Sequence, residues 1–535
     1  MSPQPESVTP PARCDVLVIG AGLAGVSVAS LVARRLPSAR VVVVERRTQP
    51  VQSSPAEPLS ALASLFFSRV LGAEELLVRE QLPITGTHAW FATQVHDVLS
   101  EMVELGWDAG GPRPAHHVDG ARLARALARR AAGPGVEFVY GTRAQTLDLH
   151  WPESRVQLRD GRGTRELRAR WVVDASGPAA LLAKELSLRR CLDTPAAWSA
   201  GANWAGLRDL DDACAAGLAR SERASPWTRS RQFATQHFCG DRWHVRLCPH
   251  PAGGSSVRLL AQRGASRDEG GLRSLESYSR FVRSRPGLRE LLRGARLDPH
   301  SFESSALHDW TVSRRCARGW WLVGDAGGSL HSAFASPLDR LVRDVQAAAG
   351  TILGDVAGAA SEQETLAELE AHEACGRARD ACESTEIFGA LAGLGGDAAI
   401  TGAYLRLRCA FEERELRRAA RDPHALDASA CDALWRGSLR SAWLARLCHL
   451  ASARRAAGIS TEFKSLRVLR LDGSQGGLTG GALALWWWLR LEYGVTREGL
   501  RPVPGDEHTS AVVEIACRAA CAHERLAAFR AGLAP

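Results

Sequence analysis

Three glycines, Gly20, Gly22 and Gly25, stand in the stretch CDVLVIGAGLAGVSVASLVARRLPSARVVVVERR (Cys14 to Arg47). At this spacing they form a turn that can carry a pyrophosphate. Gly20 permits the tight bend, Gly22 lets a phosphate reach the backbone without meeting a Cβ, and Gly25 lets the next helix lie close to the strand. Leu23 and Ala24 begin that helix, whose unbonded N–H groups and positive dipole end favour an anion. Glu45 closes the following apolar run, with Arg46 beside it. A carboxylate there accepts hydrogen bonds from ribose hydroxyls and disfavours a 2′-phosphate, so the site reads as one for FAD or NAD, not NADP.

Two later strand ends carry acids. WVVDASG ends an apolar run at Asp174, and GWWLVGDAGG ends another at Gly324-Asp325. After the second, Ser336-Pro337-Leu338 opens a helical pattern: proline suits the first turn, where its missing N–H costs nothing, and Ser336 suits the cap. His331 lies between the acid and that helix. His244 and Arg246 alternate in RWHVRLCP, a strand pattern that would roof a substrate cavity. A neutral imidazole can hold or take a phenol or indole proton, which makes His331 the first catalytic candidate and His244 and Arg246 the next.

The elements that must position these residues are legible in outline. Asp15 to Ile19 and Val41 to Val44 are apolar on both faces, as buried parallel strands require, and Leu23 to Leu36 has helical spacing between them. The fold class expected is α/β: a Rossmann-like nucleotide-binding domain interleaved with a β-rich domain and followed by a mainly helical C-terminal region. The boundaries expected are a loose tail at 1–13, the nucleotide-binding domain at 14–190 with a helical insertion at 50–115, and the β-rich domain at 191–313. A return to the first domain at 314–360 and a helical domain at 361–535 complete the chain. HDVLSEMVELGWD (His96 to Asp108) reads as an amphipathic helix, and His116 to Gly133 contains another helix behind an aspartate.

Composition narrows the function classes. Apolar residues form 45% of the 535, enough for a large core, and a net charge of +8 gives no case for nucleic acid. Of the 67 basic residues only Lys184 and Lys464 are lysine, so chemistry that needs a lysine has two candidates. The 13 cysteines show no Cys-x-x-Cys pair and no metal or disulfide framework, which fits reduced thiols and a cytoplasmic location. The proline-rich start does not read as a signal peptide, and LALWWWLRL (Leu483 to Leu491) is too short to span a bilayer. Its triple tryptophan reads as buried in a helical core. Exposed instead, it would make the C-terminal region a docking surface for a protein partner.

Taken in order, the Gly20–Gly25 turn, Asp174 and Gly324-Asp325 resemble the FAD-dependent monooxygenases of the para-hydroxybenzoate hydroxylase type and their flavin-dependent halogenase relatives. The resemblance covers roughly residues 13–355. REQLPITGTHAWFATQ (Arg79 to Gln94), AHHVDGARL and DASGPAALLAKELSLRRCLD are similar to the flavoproteins that hydroxylate tryptophan in a partner protein during tryptophylquinone maturation. The resemblance implies that Gly324 and Asp325 bind the ribityl chain of one FAD stretched across these segments, and that the helix after them, with Ser336 and Leu338 at its start, faces the flavin ring. It implies NAD(P)H or a flavin reductase as electron donor. It also implies hydroxylation, through a flavin C4a-hydroperoxide, of an electron-rich aromatic substrate, either small or bound to a protein or carrier.

Departures from the family pattern leave two alternatives. His331-Ser332 and Pro337 replace its Asp-Pro and following Gly, and Gly120 stands where an arginine is usual, with Arg122 nearby as a substitute. These changes motivate a catalytically degenerate binding or scaffold protein. Halogenation, the other alternative, resembles enzymes that use a lysine after the first βαβ unit, and no lysine occurs before Lys184.

Overall fold

A computed structural model describes residues 12–91, 99, 102–108, 115–193, 197–215, 231–240, 242–262, 265, 272–285, 287–331, 337–388 and 468–470. The chain opens with β1 (Arg13–Ile19), α1 (Leu23–Arg35) and β2 (Val41–Glu45). β2 is an unbroken run of β-branched valines buried on both faces, so packing favours strand. Arg34 and Arg35 in the last turn of α1 oppose its dipole. β3 (Ala56–Leu59), β4 (Gly86–Phe91), β5 (Val103–Asp108) and β6 (Ala115–Asp119) follow. Asp119 then caps α2 (Gly120–Ala131) by accepting the Arg122 N–H. Next come β7 (Val136–Tyr140), β8 (Gly163–Asp174), β9 (Ala197–Ala205), β10 (Thr235–Gly240), β11 (Trp243–Pro249) and β12 (Ser255–Gln262). The helix α3 (Leu275–Arg283), β13 (Trp320–Leu322), α4 (Pro337–Val356), α5 (Glu362–Phe388) and β14 (Val468–Arg470) complete the set used below.

Two sheets organise the molecule. In the first, β13, β8, β1, β2 and β7 lie side by side and all parallel, the Rossmann-like arrangement expected from the sequence. One face packs on α1, α2 and α4 through Val16, Val26, Leu123 and Val345; the other buries Leu17, Val42, Val172 and Leu322. The second sheet runs β9, β12, β11, β10, β4, β5, β14. Its back face, with Trp243, Val245 and Leu247, packs against α3 through Tyr278 and Phe281.

The 50–115 segment departs from the expected helical insertion. Short helices are present at Ala61–Leu65 and Glu74–Glu80, but β3, β4, β5 and β6 are strands. The part of the expected His96–Asp108 helix lying within β5 pairs antiparallel with β4, which itself lies parallel to β10. Cross-strand partners overrode the helical spacing of that stretch. Residues 389–467 and 471–535, with the triple tryptophan and the basic Arg436–Arg455 stretch, lie outside the described residues. Among the described residues no helix is long and apolar enough to cross a membrane, and no metal-binding cluster occurs.

Candidate active site

The three glycines of the first turn carry three separable duties. Gly20 has φ +107°, and a Cβ there would lie 2.5 Å from the Ala175 carbonyl oxygen. A Cβ on Gly25 would lie 2.0 Å from the Gly20 carbonyl oxygen, so this glycine lets α1 approach β1. Gly22 differs: it is exposed, caps α1, and a Cβ on it would meet nothing within 4 Å. The protein leaves open the space where a pyrophosphate would approach, which is the cradle the sequence called for. Glu45 is buried beside it, its carboxylate accepting the Ala21 and Arg47 N–H groups at 3.0 Å each. Arg46 is exposed, and Leu23 and Ala24 are half-buried at the helix start.

The other motifs meet this turn. Ala175 and Ser176, which follow Asp174, press on Gly20. Gly324, at φ +62°, sits with its would-be Cβ 3.5 Å from Ala24. The start of α2 approaches the same place, a Cβ on Gly120 falling 4.0 Å from Leu23. Residues far apart in sequence thus gather around one helix start, as an extended dinucleotide requires.

Asp325 is accessible to solvent yet ringed by protein, so it lines a recess. That enclosure raises its pKa, and the nearby Glu57 carboxylate adds to the effect, while Arg340 and His331 oppose it. Above lies the polar face of the second sheet. Arg246 is buried, 3.9 Å from Glu57. His117 is fully buried, with Nε2 2.8 Å from the Thr235 hydroxyl. Its pKa is pushed down to about 3, first by burial, then by Arg246 and His116. β3 is stitched to this sheet by Ala56 N–H donating to the Ser256 hydroxyl at 2.7 Å, and by His250 Nε2 at the Ser54 carbonyl, 3.1 Å away. Asp119 gathers the preceding loop by accepting from the Ser53 hydroxyl at 2.6 Å and the Ser54 N–H at 3.0 Å.

His331 is half-buried, with Nδ1 3.0 Å and its backbone N 2.9 Å from Asp309 Oδ1. A carboxylate only accepts, so it holds the ring proton on Nδ1 and leaves Nε2 as the atom for proton exchange.

Several expected contacts have other employment. Asp174 is fully buried, and its carboxylate accepts the Ser176 and Leu182 N–H groups at 2.9 and 2.7 Å, ordering the chain after β8 instead of facing a ligand. Arg122 pairs with Glu80 at 2.9 Å, so it is not the free substitute expected beside Gly120. His244 is buried on the same sheet face as Arg246, with Nε2 2.8 Å from His237 Nδ1. Buried and bonded to His237, it does not line the site as expected; burial, then Arg246, also pushes its pKa down to about 3. Leu338 turns its side chain into the core, and Ser336 lies outside the described residues. Glu57, His117 and Asp309 were not foreseen. The alternation of His237 and Cys239 with His244, Arg246 and Cys248, all on one sheet face, was the signal for a polar roof.

Comparison with known proteins agrees with this fold. Residues 13–202 match the model of the FAD binding domain family. Among solved structures, the flavin-dependent brominase Bmp2 is similar at TM-score 0.62 and 16% identity, over 83% of this chain and 100% of that one. The halogenase PltM in complex with phloroglucinol and FAD is similar at TM-score 0.62 and 13% identity, over 93% and 98%. A flavoprotein/dehydrogenase from Cytophaga hutchinsonii is similar at TM-score 0.58 and 15% identity, over 83% and 100%. No curated protein matches.

Proposed function

We propose that the protein is an FAD-dependent monooxygenase that hydroxylates an electron-rich aromatic substrate, small or carried on a protein, with NAD(P)H or a flavin reductase as electron donor. The observation that carries this reading is the meeting of the open Gly22 turn, the Glu45 carboxylate and the Gly324-Asp325 turn around the start of α1. FAD, when bound, supplies the oxygen-activating chemistry; the protein binds, orients and shields. Gly20, Gly22 and Gly25 form the pyrophosphate turn, with Leu23 and Ala24 at its helix start. Glu45 takes the ribose hydroxyls, with Arg46 alongside. Among the described residues the Asp325 carboxylate makes no hydrogen bond, and it lines the recess, so it is available to the ribityl hydroxyls. Arg246 and Glu57 form the polar wall, with His117 buried behind them. His331, steered by Asp309, holds or takes the substrate's proton at Nε2.

Halogenation is the second reading, because flavin-dependent halogenases share this fold. Lys184, the one lysine before Lys464, is exposed on the short helix after Asp174. It is therefore poorly placed to serve between cofactor and substrate. One experiment separates the readings. The purified protein is titrated with FAD, and bands near about 370 and 450 nm, the absorption of the flavin itself, report uptake. Aromatic substrates are then offered with NAD(P)H, a flavin reductase, oxygen and bromide. A product heavier by one oxygen supports hydroxylation, and one carrying bromine overturns it in favour of halogenation. A protein that takes up no FAD sinks both.

A further inference from the structure

The turn that presents Asp325 is held from behind by a helix outside the FAD-binding domain. α5 aligns Glu373, Gly376, Asp380 and Glu383 along one face, at helical spacings of three and four. Asp380 accepts from the Arg315 guanidinium, from Arg340 Nη2 at 2.8 Å, and from the Thr311 hydroxyl. Arg340 also reaches Glu383 at 2.6 Å. The two arginines then turn to the cofactor side. Arg315 Nη1 donates to the Gly327 carbonyl at 2.8 Å, and Arg340 Nη1 to the Gly328 carbonyl at 3.0 Å. The other end of the turn is held similarly. Gly324 N–H donates to Asp344 Oδ2 at 3.1 Å, and Asp344 Oδ1 accepts from Arg379 of α5 at 2.9 Å.

The packing is close and buried. Arg315, Arg340, Asp344 and Asp380 are each less than a tenth exposed. A Cβ on Gly376 would lie 2.4 Å from Arg315 Cδ, so a glycine is what lets α5 approach this arginine. Burial alone would raise the pKa of Asp380, but Arg315, Arg340 and Arg379 outweigh it and hold the carboxyl below its usual range.

We propose that this face of α5 is a positioning device for the cofactor: through Arg315 and Arg340, Asp380 fixes the carbonyls of Gly327 and Gly328 and so the direction in which Asp325 faces the recess. The inference rests on the FAD reading for its purpose but not for its geometry. It makes the first helix after the FAD-binding domain part of the cofactor site, and movement of α5 would be felt as altered cofactor affinity.

The test uses the full chain with Asp380→Asn, Asp380→Glu and the milder Glu383→Gln, which removes only the outer partner of Arg340. Hydrogen exchange of the Gly324–Gly328 amides is measured without FAD, and FAD affinity by quenching of flavin fluorescence. Asp380→Asn is expected to speed exchange in the turn and weaken FAD binding, each at least tenfold. Glu383→Gln should give roughly threefold effects in the same direction, and Asp380→Glu should restore part of the loss. A merely structural role would lower the melting temperature and leave turn exchange and FAD affinity of the folded protein unchanged, and that result overturns the proposal. If Asp380→Asn does not fold, Glu383→Gln decides by the same two readouts. If the unmodified protein takes up no FAD, the flavin reading fails, and the exchange data alone decide whether α5 holds the turn.

Discussion

Replacing Gly22 by valine separates a ligand-binding glycine from a folding one. The Gly22 backbone has φ −73° and ψ −179°, an extended conformation any residue adopts, and its would-be Cβ meets no protein atom within 4 Å. Valine is a poorer helix cap than glycine, a loss of up to about 1 kcal/mol. Restricting the unfolded chain returns roughly 0.4–1 kcal/mol. The stability of the apoprotein should therefore stay within about 1 kcal/mol of the unmodified chain. The isopropyl group would instead occupy the space a pyrophosphate needs. Losing two charge-assisted backbone hydrogen bonds at about 1.5–3 kcal/mol each weakens FAD binding by roughly 10²–10⁴-fold. Gly25→Ala is the control. Its Cβ would lie 2.0 Å from the Gly20 carbonyl oxygen, so α1 must move off β1, and the fold should lose about 1–3 kcal/mol or more. Urea unfolding of the apoproteins and FAD titration by flavin fluorescence give both quantities. A Gly22→Val protein that binds FAD as tightly as the unmodified chain refutes the assignment of this turn. One that unfolds as readily as Gly25→Ala refutes the claim that the space is open.

Four further outcomes are expected. Glu45→Gln weakens the charged acceptor for Ala21 and Arg47 and should reduce FAD affinity about ten- to hundredfold; unchanged affinity would remove Glu45 from the site. Asp325→Asn should weaken FAD binding without destabilising the apoprotein, because the folded state raises the pKa of this carboxyl and resists its charge; a large drop in apoprotein stability would contradict that. His331→Ala should leave FAD bound and slow substrate oxidation, and an unchanged turnover rate removes it from the mechanism. His117 and His244 have folded pKa values lowered to about 3, against roughly 6.5 unfolded. Their neutral state thus contributes stability fully above about pH 6.5, and it is lost as pH falls towards 3, at about 1.4 kcal/mol per pH unit for each histidine. Urea midpoints flat between pH 6.5 and 5, or unaltered in slope by His244→Gln, would show that these imidazoles are not buried neutral.

The first βαβ unit was legible because its determinants are local. Glycine spacing, an apolar valine run and a terminal acid lie within Cys14 to Arg47, and each acts on a neighbour a few residues away. Even there the reason for Gly20 was only half visible: its φ belongs to the turn, but the atom a side chain would strike is on Ala175. Pro337 was likewise readable as a helix opening, since the missing N–H is a property of that residue alone. The polar roof was harder. Arg246 and His244 were picked out by strand alternation, but Glu57, which faces Arg246, lies on a strand read as helix. Nothing local ties the two. Asp174 misled for the complementary reason: an acid at a strand end suits a ligand, and equally suits the N–H groups of the next turn, which is where it went.

α5 shows the limit of reading helices from apolar stripes. A helix whose buried face is apolar announces itself by periodicity. The face α5 turns inward carries Glu373, Asp380 and Glu383, with Gly376 where a guanidinium must pass, and these alternate with outward charges in a way composition cannot separate. Its partners, Arg315 and Arg340, flank the Gly-Asp turn in a chain rich in arginine, so neither stood out. A buried ionic face is an expensive way to attach a helix: replacing such a pair with apolar residues is often neutral or stabilising, whereas removing one partner costs about 3–5 kcal/mol. What an apolar face could not do is donate to the Gly327 and Gly328 carbonyls. The charged face therefore makes sense if orientation of that turn, and not mere adhesion of α5, is what these residues serve.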